Sequence, residues 1–226
     1  MVPALTSLIA ASLAFVGTHF ALSHPLRAPL VRVLGATGFM LVYSLVAFAC
    51  LGWMAWAFRA VPPQFLGGSG VAGWIVASLL TLLASVLLIG SFARNPALPA
   101  PGAERLAATR EPTGAFAVTR HPMMWSFAFW ALAHIALWWS WRTNVVAIAV
   151  ITLALLGAHL QDRKKAALMG EAWVTWEART SYWPRVTALP RAGLLPWLLG
   201  TALWLAATYG HVHAAGVPAG LWRWVG

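Results

Sequence analysis

Six apolar runs, at about 4–22, 36–58, 71–93, 122–139, 144–160 and 193–210, are long enough to cross a hydrocarbon core as helices. None contains Asp or Glu: Glu104, Glu111, Asp162, Glu171 and Glu177 all fall between runs. A backbone in lipid must satisfy its own hydrogen bonds, which an apolar run of this length does only as a helix. The expected fold is therefore all-α, a polytopic membrane protein of about six transmembrane helices. With 61% hydrophobic and 9% charged residues, the chain leaves no stretch large enough for a separate water-soluble domain. A single transmembrane domain over 1–226 is the expected organisation.

The basic residues give that bundle a direction. Arg27, Arg32, Arg94, Arg105, Arg110, Arg120, Arg163, Lys164, Lys165, Arg179, Arg185 and Arg191 lie in the first, third and fifth connections. Only Arg59, Arg142 and Arg223 lie on the other side. This asymmetry predicts odd connections in the cytoplasm and both termini outside, in a cell inner membrane. The first run follows "MVPALTS", which has no Lys or Arg, so it reads as a retained helix rather than a secretory signal. The net charge of +10 then matches anionic lipid headgroups, with the bilayer as the partner. It is spread over three loops with no nucleic-acid motif, so nucleic acid is not expected as a partner. One cysteine, Cys50, excludes an internal disulfide and a Cys-rich metal site.

Between the runs, "VPPQFLGGSG" (61–70) and "WSWRTN" (139–144) read as short outer turns, the latter adjoining an aromatic belt. The Pro-rich inner connection 94–121 holds one short helical candidate near 102–110. In 161–180, Leu168, Trp173 and Trp176 recur at near-helical spacing among charges. That pattern predicts an amphipathic helix lying in the inner interface and stopped by Pro184.

Ionisable groups inside the runs are the functional leads, because hydrocarbon tolerates them only when paired or used. Without carboxylates there, a carboxylate proton relay is excluded and histidine is what remains. His19 lies near the inner end of the first run, and His134 about 18 Å along the fourth from Pro122. His121 marks the inner mouth of that helix. His121 and His134 differ by thirteen residues, about 220° around a helix, so they face different sides and need separate explanations. For His134 an interhelical hydrogen bond and axial ligation of haem iron are both consistent with its setting. His19 presents the same pair of readings. Arg27, Arg32 and Arg120 suit haem propionates or lipid phosphates equally. His159, Asp162 and Arg163 share a helical face, where an ion pair or a carboxylate supporting an imidazole would both fit, in a structural role. His211 and His213, past the end of the sixth run, are expected to be solvated.

The blocks "FVGTHF", "HPLR" and "LVYSLVAF" (15–20, 24–27, 41–48), "VTRHPMMWSFAFWALAH" (118–134) and "GAHLQDRKKAALMGEAWVTWEARTS" (157–181) resemble the NnrU family of membrane proteins. The last two also resemble zeta-carotene isomerase, a relative. The resemblance implies a haem b-binding membrane protein. In the isomerase branch, ferrous haem isomerises the central cis double bond of a carotenoid, an apolar small-molecule substrate, with no net redox change. The NnrU branch is associated with nitric oxide metabolism and denitrification. By motif the proposed iron ligands fall on His19 and His134. The isomerase carries a cysteine where this chain has Ala131, so no Cys-for-His ligand switch is available. On the expected topology His19 lies nearer the inner face than His134, which a simple bis-His site does not favour.

"RHP" at 120–122 carries a second kinship. Membrane methyltransferases of the isoprenylcysteine and phospholipid type have a similar motif, followed by an acidic residue and a stretch like "GEAWVTWEARTSYWP" (170–184). Those motifs hold S-adenosylmethionine. Here Gln161 and Asp162 replace their paired glutamates. The alternative functions are therefore a methyltransferase using Arg120, His121, Glu171 and Trp173, or a non-catalytic helper whose histidines simply pack.

Overall fold

The computed structural model describes residues 2–225. In chain order it runs α1 (Val2–Ser23), α2 (Arg27–Ala60), a two-residue strand β1 (Gly67–Gly68), α3 (Gly70–Gly90), α4 (Ala103–Thr109) and α5 (Ala115–Val118). Then follow α6 (Pro122–Leu137), β2 (Trp138–Trp139), α7 (Trp141–Met169), α8 (Glu171–Arg179), a 3-10 segment (Val186–Ala192), α9 (Leu194–Ala215) and α10 (Trp222–Val225). The all-α membrane fold holds. Among the described residues, α1, α2, α3 and α7 are each long and apolar enough to span. A fifth span results if the 3-10 segment and α9 count as one element bent by 96°. The remaining expected run, α6, is apolar but has 16 residues, about 24 Å, short of a full crossing of about 30 Å.

The chain divides into two compact units, Met1–Gly68 with Trp138–Leu153, and Ser69–Leu137 with Ala154–Gly226. In the first, Leu8 and Ala11 of α1 close on Met54, Ala57 and Val61 around the end of α2. The alanines let the backbones approach, and side-chain contacts tie the pair: the Trp53 indole donates to Ser7 Oγ at 3.2 Å, and Ser23 Oγ donates to Tyr43 Oη at 3.4 Å. Gly35 interrupts α2 at φ 72°, ψ 169°, a region open essentially to glycine alone. It sets the boundary at which the expected run from 36 begins. Arg142 donates to the Val61 carbonyl at 3.2 Å and its guanidinium lies 4.7 Å from the Phe58 ring. Strands β1 and β2 pair antiparallel, Gly67 opposite Trp139.

In the second unit α3 is the common wall, with α6 and α9 each packed along it. Its buried face is mostly small: Gly73, Ala77, Ala84 and Gly90, with Val86 and Leu87. α6 answers with Ser126, Ala128, Ala131 and Ala133. On α9, a Cβ at Gly200 would sit 2.6 Å from the Val86 Cα, so this crossing requires glycine.

One expected element takes a different form. Residues 161–169 continue α7, and Gly170 at φ 54° breaks the chain before α8. The helix predicted over 161–180 is thus two helices. Its apolar residues do not share one face towards lipid: Leu168 is 60% exposed, whereas Trp173 and Trp176 are fully buried. They pack with Phe116, Ala97 and Ala107 in a small core that the Pro-rich connection itself supplies. Arg179 closes this core, donating at 2.8 Å to the carbonyls of Ala107 and Ala108 at the end of α4. Arg110 donates to the Ala93 carbonyl at 2.7 Å and lies over the Phe116 ring. Basic residues read as lipid-facing here bind backbone carbonyls.

Candidate functional site

Three histidines carry the candidate sites: His121 and His134 in the second unit and His19 in the first. The mouth of α6 is built where the chain at 118–120 runs beside 181–185. Arg120 N–H donates to the Ser181 carbonyl at 2.8 Å, and Arg185 N–H to the Val118 carbonyl at 2.9 Å. Thr119 Oγ1 and the Trp125 indole each donate to the Tyr182 carbonyl at 2.8 Å. Pro122 then occupies the first helical position, where its fixed φ suits the start and its missing N–H costs nothing.

This register turns Arg120 and His121 onto one carboxylate. Asp162, on α7, accepts Arg120 Nε at 2.9 Å and Nη2 at 2.7 Å on one oxygen. His121 Nε2 meets its other oxygen at 2.8 Å. Glu177 of α8 adds a longer contact to Arg120 at 3.3 Å. The His121 side chain is fully buried, with Asp162 and Arg120 nearly so, while Glu177 is about a third exposed. Burial, followed by the neighbouring Asp162 charge, pushes the Glu177 carboxyl above its ordinary range and the Tyr182 phenol likewise upward. The cavity beside His121, lined also by Arg120, Gln161, Met123, Met124 and Asn95, is about 20 Å³. That is room for about one water. His121 Nδ1 is buried without a hydrogen-bond partner. Chemically this is a buried charge lock joining α6, α7 and α8.

The residues named with it for a methyl-donor site are not gathered around it. Trp173 is enclosed in the Phe116 cluster, and Glu171 is exposed at the start of α8. His159 is exposed; the partners of Asp162 come from the 120–121 mouth, not from its own helical face.

His134 and His19 share one local geometry. His134 Nδ1 lies 2.7 Å from the Trp130 carbonyl, and His19 Nδ1 lies 2.7 Å from the Phe15 carbonyl, each one helical turn back. A carbonyl oxygen only accepts, so Nδ1 carries the proton in both rings. In the neutral imidazole the lone pair is then at Nε2. Metal-bound histidines are commonly oriented this way, with the other ring N–H held by a carbonyl. The His134 ring packs 4.2 Å from Trp130 and 6.2 Å from His211 of α9. The His19 ring lies 4.4 Å from Phe15 and 5.5 Å from Tyr43. Tyr43 contacts Phe39, over which Arg27 is placed at 5.7 Å.

The structure therefore joins Arg120 to His121, and His134 to a residue that the sequence reading set aside. His19 and Arg27 belong to the first unit, His134, Arg120 and His121 to the second. Among the described residues no three His, Cys, Asp or Glu side chains converge for a metal ion. A bare ion needs about four protein or water donors.

His211 escaped the sequence reading because the sixth run was closed at 210, whereas α9 continues to Ala215. Asp162 takes Arg120 and His121 as partners, not His159 or Arg163 of its own helix. The signal that could have found its role is its position as the sole acidic residue on α7.

The family model described as "NnrU protein" matches residues 7–219. No curated protein and no solved structure matches the chain.

Proposed function

The chain belongs to the NnrU family, and on that premise we propose a haem b-binding membrane protein whose iron is held by histidine, with His134 and His19 as the candidate ligands. The observation that carries this reading is the shared Nδ1 bond to the carbonyl one turn back, at 2.7 Å in both. It fixes the tautomer and aims the Nε2 lone pair away from the parent helix, so little ordering remains to be done on ligation. Trp130 beside His134, and Phe15 and Tyr43 beside His19, supply apolar walls.

Bound there, haem supplies an iron centre suited to a diatomic gas such as nitric oxide or to isomerising an apolar double bond. The chain's own residues hold and orient it. In the second unit Arg120, His121 and Asp162 brace the helix that carries His134; in the first, Arg27 would be a cation available to a propionate of a group held by His19. An apolar substrate would enter from the bilayer, and the charge asymmetry of the loops suits an inner membrane with both termini outside. The methyltransferase reading would require a cofactor pocket at Arg120 and His121. The cavity there is about 20 Å³, against several hundred cubic ångströms for a ligand of that size.

The test is an optical spectrum of protein purified in detergent from haem-replete cells. A Soret band is expected, shifted or lost in His134→Ala. Colourless wild-type protein overturns the proposal.

A further inference from the structure

We propose that His121, Met123 and Met124 form a binding site for one soft monovalent metal ion, copper(I), in the cavity at the mouth of α6. The site is separate from His134 and His19, and neither proposal rests on the other.

The His121 ring is already set as a metal ligand would be. Arg120 donates twice to one Asp162 oxygen, at 2.9 and 2.7 Å, and His121 Nε2 lies 2.8 Å from the other. A carboxylate held in this way accepts, so Nε2 carries the proton and the neutral ring has its lone pair at Nδ1. That nitrogen is buried and has no hydrogen-bond partner. Metal-binding histidines show this arrangement, with a carboxylate on one ring nitrogen fixing the tautomer and the other nitrogen left to donate.

What adjoins that nitrogen selects the ion. His121, Met123 and Met124 all line the cavity of about 20 Å³, whereas Asp162 does not. The Nε2 edge of the ring therefore turns away from the cavity, and the far edge, which carries Nδ1, borders it. A space for about one water also takes one bare ion. Methionine often does no more than fill a gap, but here two consecutive thioethers share a cavity with an unused imidazole nitrogen. Thioether sulfur is a soft donor, and soft donors select copper(I). Methionine also stands outside the His, Cys, Asp and Glu donors whose convergence a harder ion requires. The amide oxygen of Gln161, in the same wall, is available to complete the donor set.

Charge favours a monovalent ion over a divalent one. No carboxylate lines the cavity, so a divalent ion would meet no formal negative charge in its wall. Arg120 does line it, but its charge is matched by Asp162 at 2.7 Å and Glu177 at 3.3 Å. Met123, Met124 and Gln161 are only half-buried, which leaves the space within reach of an entering ion.

The experiment titrates full-length protein in detergent with copper(I), under reducing anaerobic conditions and against a chromophoric copper(I) chelator. X-ray absorption at the copper edge is then recorded on the one-equivalent complex. Wild type should take up one ion per chain, with both sulfur and nitrogen among its neighbours. Met123→Leu and Met124→Leu should each weaken binding at least about tenfold, the loss that follows even when a group merely supporting a ligand is removed. Leucine keeps the volume, so the unfolding midpoint of each variant should stay near that of wild type. His134→Ala should bind copper(I) as wild type does. Three results overturn the proposal: no saturable uptake by wild type, copper surrounded by nitrogen and oxygen alone, or wild-type affinity in a folded variant lacking both methionines. The wild-type spectrum decides without any variant, and none of these results bears on haem.

Discussion

At the scale of single residues, burial separates Asp162 from Glu177. Asp162 is 9% exposed at its side chain and receives both Arg120 and His121. Its removal would leave a guanidinium and an imidazole buried without their acceptor. Asp162→Ala should therefore cost about 3–5 kcal/mol, the usual penalty for breaking one side of a buried pair. Thermal unfolding in detergent measures this. Glu177, at 32% exposure and 3.3 Å from Arg120, is a screened partner, and Glu177→Gln should cost less than about 1 kcal/mol. The same group gives a pH effect of opposite sign to the usual carboxylate. Its folded value is raised by burial and by Asp162, so its contribution favours the fold at low pH. That contribution is lost as pH rises through the raised value, and Glu177→Gln should abolish the loss. The type of residue at these positions was legible in the sequence, and "RHP" was singled out from it. The partner was not, because helical spacing within 159–163 suggested a local pair, whereas the bonds run to a segment about 40 residues away. Spacing arguments see only one element at a time.

At the scale of elements, small residues decide how close helices come. A Cβ at Gly200 would press on the Val86 backbone at 2.6 Å, and backbone cannot swing aside as a side-chain tip can. Gly200→Ala should force α3 and α9 apart at a cost of about 1–3 kcal/mol. Gly35→Ala should destabilise through its backbone instead, since nothing lies within 4 Å of the added methyl yet its φ is 72°; a cost of about 1–3 kcal/mol is expected. Combining the two should give nearly additive losses, because they act through different causes. Apolar runs made the long helices readable to within a few residues at most ends. α7 and α9 escaped at their distal ends, where polar residues continue a helix that hydropathy had already closed. The tryptophans of 173 and 176 misled for a related reason. Apolar residues among charges look the same whether they face lipid or a small protein core, and here Phe116 and α4 provide the core.

At the scale of the whole molecule, composition and family agree on a membrane protein. The family match covers residues 7–219, and the absence of acidic residues from the apolar runs leaves histidine as the group able to act within them. If the basic connections define the inner side, a reporter fused to the C-terminus should be active only outside the cytoplasm; an inward C-terminus would reverse the proposed topology. Haem held through His134 is the central proposal. Its most direct test is haem per polypeptide, measured as the pyridine haemochromogen in wild type, His134→Ala and the control Trp183→Ala. Wild type and control should carry near-stoichiometric haem b and His134→Ala a small fraction of it. Equal haem in all three, or none in any, would contradict the account.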